Sequence, residues 1–323
     1  MDVVTLRSLV GVPYRMTATE HFEILHEAGD DRAARTGETL ERAYQCFYEV
    51  FSQAGFELSR PEEALVWICF PQQSDFDKYA RTTEGMDLSW LDGYYSTLTN
   101  CVAIVQPSPG LCEWQEKEMR PGDDVRLTLT VTRQSERILP MSAAGQPLEV
   151  ARLTHELAHQ LAFNSGLQKR GVMYPLWVSE GLATYFELDG SAGTGFQAWN
   201  SVRGRCLVEA YKRGELIPLG RFVVQTKVPP DAHLSRQCYA QAWAFFQFIL
   251  MEYPAQLRCY LEHLAERPPG WRFTHVMTKE FTAAFGSLSE LEFSWRLFLV
   301  RQVQQISASR SAVSSNGLPT QEP

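Results

Sequence analysis

The spacing of hydrophobic positions changes partway along the chain. His21 to Leu25 reads as a short strand, and from Asp31 to Ala54 the residues Leu40, Ala43, Tyr44, Phe47, Val50 and Phe51 recur at helical spacing, with Gly55 as the stop. Ala64 to Phe70 is a continuous apolar run closed by Pro71, which predicts a central strand buried on both faces. Tyr94 to Val105 reads as a hairpin turning near Thr99 and Asn100, and Arg126 to Thr132 alternates as a further strand. Beyond a polar loop around Ala143 to Gln146 the period becomes helical, in Pro147 to Asn164, Pro175 to Glu187, Phe196 to Arg213, Arg236 to Tyr253 and Ser287 to Gln305. The expectation is an α+β fold. A lead-in (1–17) precedes a mixed-sheet lobe with helices (18–146), a mainly helical lobe follows (147–306), and a Ser-, Pro- and Gly-rich tail (307–323) is expected to be disordered.

Composition narrows the class without naming a chemistry. At 323 residues the chain is long enough for two lobes, and 45% hydrophobic with 21% charged residues fits a globular protein rather than a disordered one. A net charge of −8 without a Lys/Arg cluster argues against nucleic acid as a partner. The densest apolar stretch, Ala242 to Met251, is half of the roughly 20 residues a membrane-spanning helix needs, so no membrane span is expected. Met1 to Tyr14 lacks the apolar core and cleavage site of a signal peptide, and seven cysteines follow no pairing pattern; a reduced, cytoplasmic setting is expected.

One segment carries recognisable chemistry. His155, Glu156 and His159 form H-E-x-x-H on a stretch whose Leu153, Leu157 and Leu161 supply a helical apolar stripe. Positions i and i+4 of a helix stand one turn apart on one face, so both imidazoles can close on one ion with Glu156 beside them. The next helical segment, PLWVSEGLATYFE, offers Glu180, 20 residues beyond His159, as a third ligand if it folds back on the first. Two histidines, one carboxylate and an open fourth position describe a hydrolytic zinc site, with Zn2+ as the expected cofactor, one per chain. Gly181 would permit the close helix approach this needs.

The two motifs together resemble the gluzincin metallopeptidases, and within them bacterial peptidase-like domains with a P-L-W-x-x-E-G-x-A-x-Y-F-E signature. The resemblance continues weakly upstream and through YAQAWAFFQFIL and FTAAFGSLSELEFSWRLFL downstream, covering most of 18–302. It implies a zincin-like fold with the active-site cleft between the lobes, His155, His159 and Glu180 as zinc ligands, Glu156 as general base, and a peptide or protein substrate. It also implies a role for Tyr239. The related aminopeptidases use a helix-borne tyrosine downstream of the glutamate ligand to hold the oxyanion, and Tyr239, 59 residues after Glu180, matches. Tyr239 reads equally well as a core aromatic on a stripe with Ala242, Trp243 and Phe246. The G-x-M-E-N loop that binds a substrate's free amine in that branch has no counterpart, so an endopeptidase is expected over an aminopeptidase.

Ligand histidines usually donate their second ring N–H to a carboxylate or carbonyl. Thr184 and Glu187, at i+4 and i+7 from Glu180, are the candidates for that support. The Tyr94–Val105 hairpin is a candidate edge for pairing with an extended peptide, or merely closes the sheet. His21, His26, His233, His263 and His275 occur singly and read as structural or exposed. Two other functions use the same residues: a zinc-stabilised interaction module without turnover, and a hydrolase of a non-peptide amide.

Overall fold

The computed structural model of the protein describes residues 14–27, 32–106, 129–131, 146–187 and 201–315. It is α+β, with an N-terminal mixed sheet followed by a mostly helical region.

Six strands form one sheet in the order β1-β2-β3-β5-β4-β6: β1 (Tyr14–Ala18), β2 (Phe22–Glu27), β3 (Leu65–Phe70), β4 (Gly93–Ser96), β5 (Cys101–Val105) and β6 (Leu129–Val131). The inner strands β2, β3 and β5 run parallel, whereas β1, β4 and β6 join antiparallel. The apolar run of β3 is explained by its two covered faces. Leu65, Trp67 and Cys69 enter a core shared with the helices, while Ile68 and Phe70 enter a second core that also contains Phe76, Tyr79 and Ala80. Those last three residues belong to α2 (Gln73–Glu84), an element the sequence reading did not assign although its i, i+3, i+4 apolar positions carry the signal. The first helix, α1 (Arg32–Gln53), covers the other face.

The helical region comprises α3 (Gln146–Asn164), α4 (Leu176–Tyr185), α5 (Ser201–Arg213), the short α6 (Leu219–Phe222), α7 (Ala232–Glu252), α8 (Pro254–Ala265), α9 (Thr274–Phe285) and α10 (Leu288–Ser315). Helix α7 is its axis. Cys238, Ala240, Ala242, Ala244, Phe245, Phe246 and Ile249 are buried on nearly all sides of it. Helix α4 lies so close to α7 that a Cβ on Gly181 would stand 2.6 Å from the Ala242 carbonyl oxygen and 2.9 Å from Phe246 Cβ. The close approach expected of Gly181 therefore exists, but its partner is α7 rather than α3.

Three boundaries depart from the sequence reading. Tyr14 to Ala18, assigned largely to the lead-in, is a strand because it pairs along its full length with β2. The hairpin β4–β5 turns where expected, with Asn100 in the left-handed region at φ 59°, but it is not an edge: β5 pairs with β3 and β4 pairs with β6. Its backbone donors and acceptors are taken up on both sides, so among the described strands the outermost one beyond it is β6. Helix α10 continues to Ser315, into the segment expected to be disordered. Residues 316–323 of that segment lie outside the described residues. Among the described residues no helix is long and apolar enough to cross a membrane.

Candidate metal centre

Helix α3 presents its H-E-x-x-H face inward because its position against the sheet is held by hydrogen bonds. Gln160, directly after His159 and fully buried, accepts from Trp67 Nε1 at 2.8 Å and donates to the carbonyls of Asn100 at 3.2 Å and Val66 at 3.3 Å. One turn later Asn164 donates to Asn100 Oδ1 at 2.8 Å. Buried polar groups of this kind have few satisfactory alternatives, so the rotation of α3 about its axis is specified.

Opposite that anchor, His155, Glu156 and His159 are buried, and α4 brings Glu180, also buried, against them. The two Nε2 atoms stand 3.2 Å apart. Glu180 Oε2 is 3.4 Å from His155 Nε2, and Oε1 is 3.7 Å from His159 Nε2. One donor atom from each of the three residues lies within 4.8 Å of the others, and Glu180 Oε2 is buried without a hydrogen-bond partner among the described residues.

Glu187, just past the end of α4, reaches His155 from behind: its Oε1 is 2.8 Å from His155 Nδ1. An ionised carboxylate can only accept, so His155 carries a proton on Nδ1, which in the neutral ring leaves the Nε2 lone pair facing His159 and Glu180. Of the two supporting candidates, Glu187 reaches a ligand and Thr184 does not. The Thr184 hydroxyl donates to the carbonyls of Glu180 at 2.6 Å and Gly181 at 3.1 Å on its own helix, the back-bonding that threonine commonly makes inside helices.

Sequence reasoning missed Arg203. From the first turns of α5 it donates to Glu187 through Nε to Oε2 at 2.9 Å and through Nη2 to Oε1 at 2.5 Å, and it is almost wholly buried. A signal was present: Arg203 shares a helical stripe with Cys206, Leu207 and Ala210, where a charge has no place unless paired. Tyr239 is buried too, with its ring 5.1 Å below the Arg203 guanidinium carbon. It occupies the α7 stripe that meets α4 one turn later at Ala242.

The electrostatics follow from this arrangement. Burial disfavours a charged His155, but the neighbouring carboxylates of Glu180 and Glu187 outweigh it and raise the imidazole to about 10. Burial, and then the neighbouring His155, push His159 well below its ordinary value. Burial lowers Arg203 to about 10, which leaves it protonated at neutral pH. In the metal-free chain the protonated His155 thus stands between the carboxylates of Glu180 and Glu187, and a divalent cation on its Nε2 would replace a proton there. Two imidazole nitrogens with a carboxylate are the donor set that zinc prefers, whereas magnesium and calcium favour oxygen alone, so the residues present fit a zinc ion.

Among the described residues one other His–Glu group has compatible spacing, formed by Glu20, His21 and Glu41. There Glu41 Oε1 already accepts from the Thr19 hydroxyl at 2.6 Å and the His21 backbone at 2.8 Å, and Oε2 takes the His21 ring at 2.7 Å. The imidazole also stacks on Tyr44 with centroids 3.9 Å apart. It is a clasp between the β1–β2 turn and α1, as the structural reading of His21 anticipated.

Residues 149–270 match the model of a family described as a protein of unknown function (DUF1570). The matched stretch contains His155, Glu156, His159, Glu180, Glu187, Arg203 and Tyr239. No curated protein matches the chain.

Proposed function

We propose that the chain is a zinc-dependent peptidase of the gluzincin kind, with a zincin-like fold and a cleft between its two lobes. His155, His159 and Glu180 hold the ion and Glu156 acts as general base. The observation that carries this reading is the buried convergence of two imidazole nitrogens on a carboxylate, one oxygen of which has no hydrogen-bond partner among the described residues. When bound, zinc supplies Lewis acidity that makes water a nucleophile near neutral pH.

The chain's own residues account for the remaining steps. Glu156, adjacent to His155 on the helix face that carries both imidazoles, takes a proton from the attacking water and returns it to the leaving amine nitrogen. Glu187 fixes the tautomer and ring plane of His155. The Tyr239 hydroxyl is assigned to the developing oxyanion, a role supported by its place on the α7 stripe that crosses α4 beside Glu180. A peptide bound in extended form would not pair with the β4–β5 hairpin, whose two strands are already paired with β6 and β3.

The test is Glu156→Gln, which keeps the side chain's volume while removing its ability to accept and return a proton. Cleavage of a diverse peptide library and zinc content are measured on the same samples. Turnover should fall by roughly 10²- to 10⁴-fold with one zinc per chain retained. Equal cleavage by both forms with zinc in place would remove Glu156 from the mechanism. A wild type that holds zinc yet cleaves no peptide would favour the interaction module or a different amide substrate.

A further inference from the structure

We propose that Arg203 is a positioning residue for the metal: by holding both oxygens of Glu187, it fixes the carboxylate that orients His155 and thereby sets how tightly the site binds its ion. The inference rests on the metal reading above and extends it to a residue outside the motif. The geometry is a continuous buried chain. Tyr239 packs under the Arg203 guanidinium, Arg203 donates to both oxygens of Glu187 at 2.9 and 2.5 Å, and Glu187 Oε1 lies 2.8 Å from His155 Nδ1.

Each link has a physical reason to be the residue it is. Glu187 lies two residues beyond Tyr185, the last residue of α4, with its backbone N–H reaching the Thr184 carbonyl at 3.3 Å. Its carboxylate turns about three side-chain bonds, and a single hydrogen bond to His155 would leave its plane undefined. The planar guanidinium removes that freedom, because its Nε and Nη2 donors are spaced to match the two oxygens of a carboxylate. Lysine could supply the charge but not the plane. The side chains are 9% exposed for Glu187 and 3% for Arg203, so water cannot substitute for the missing donors.

Charge makes the same case. Without Arg203 the carboxylate of Glu187, 9% exposed, would lose the guanidinium charge that carries two of its hydrogen bonds. Glu187 would then turn away toward solvent or take up a proton, and in either case it would cease to accept from Nδ1 with a defined geometry. The ring of Tyr239 under the guanidinium adds a favourable cation–π contact, which ties the α7 residue assigned to the oxyanion to the same chain.

The experiment uses the full chain, stripped of metal and titrated with zinc against a chromophoric chelator, together with the cobalt(II) absorption spectrum of each form. Arg203→Met keeps most of the side chain's length without charge or donors. It should weaken zinc binding by 10- to 100-fold and shift the cobalt bands, as loss of an outer partner of a ligand histidine does elsewhere. Arg203→Lys should recover only part of the affinity. Glu187→Gln should cost a similar factor, and the Arg203→Met, Glu187→Gln pair should cost no more than the worse single change, since both act through one contact. If Arg203→Met fails to fold, the pair, which strands no carboxylate, takes its place, and it must show the same loss. A role confined to joining α5 to α4 would lower the melting temperature of the metal-free chain and leave affinity within twofold of wild type; that result overturns the inference. A wild type that takes up no zinc would instead refute the metal reading on which the inference stands.

Discussion

The two His–Glu clusters of this molecule have similar ligand spacing and different chemistry. At Glu20, His21 and Glu41 both Glu41 oxygens are satisfied by donors on Thr19 and His21 in the β1–β2 turn, and the site is partly open to water. At His155, His159 and Glu180 the donors come from two helices, all three residues are buried, and the carboxylate keeps an oxygen without a hydrogen-bond partner. Proximity of ligand types is thus a weak criterion. What separates a clasp from a candidate cation site is whether the acceptors are already satisfied.

The contrast breaks most directly on metal content. His155→Ala combined with Glu180→Ala should abolish zinc retention, whereas His21→Ala combined with Glu41→Ala should leave one zinc per chain; elemental analysis of both preparations checks this. Zinc lost equally from the two would mean that the clasp belongs to the site.

Tyr239→Phe tests the reach of the metal cluster into α7. A donor that acts only on the oxyanion should cost about 10²- to 10³-fold in kcat, with KM and zinc content little changed. Wild-type turnover in steady-state assays of the Phe form would return Tyr239 to a packing role.

Gly181 probes how the metal cluster is assembled. Alanine ordinarily stabilises a helix over glycine by roughly 1 kcal/mol. Here its Cβ would meet the Ala242 backbone oxygen at 2.6 Å, and overpacking of that kind typically costs about 1–3 kcal/mol. Gly181→Ala should therefore lower the melting temperature and displace α4, weakening zinc binding, while His21 and Glu41 are unaffected. A melting temperature equal to or above wild type would show that the α4–α7 contact yields readily.

The smallest effects are in pH. The metal-free His155 is raised to about 10, above its unfolded value near 6.5, so its contribution to stability is complete below that unfolded value and disappears as pH rises through about 10. Glu41 has the opposite sign. Burial would raise it, but hydrogen bonds from Thr19 and His21 and the His21 charge prevail and lower it, so its contribution is present above the ordinary glutamate range and lost as pH falls below. Thermal melts of the metal-free chain should thus lose stability on the alkaline side through the metal cluster and, more weakly, on the acid side through the clasp. Zinc uptake near pH 7 should release a proton as the ion replaces the one on His155, measurable with an indicator dye in weak buffer. Uptake without proton release would show that His155 is already neutral in the metal-free form.

How much of this was legible beforehand depends on how far each feature reaches along the chain. The H-E-x-x-H face of α3, the candidacy of Glu180, the doubly buried β3 and the β4–β5 turn at Asn100 all follow from periodicity and spacing within a few residues, because helix and strand geometry alone determine which side chains share a face. Helix α2 and strand β1 were equally local and were overlooked rather than hidden. Other features had no local signal. Thr184 and Glu187 sit on one helical face with equal claim to support a ligand, yet the Thr184 hydroxyl bonds its own backbone while Glu187 finds His155, a difference set by where α4 ends relative to α3. Whether the hairpin was an edge depended on β6, a strand from a distant part of the chain. Gly181 announced a close approach, but only the packing chose α7 as its partner. Arg203 stood out as a charge on an apolar stripe, and its partner Glu187, 16 residues away, became identifiable only once α5 had folded against the end of α4. Sequence alone determined which side chains could bind a metal, because bonding capacity and helical phase are properties of each segment; tertiary structure decided which acceptors were left unsatisfied, because that is a property of the enclosed space.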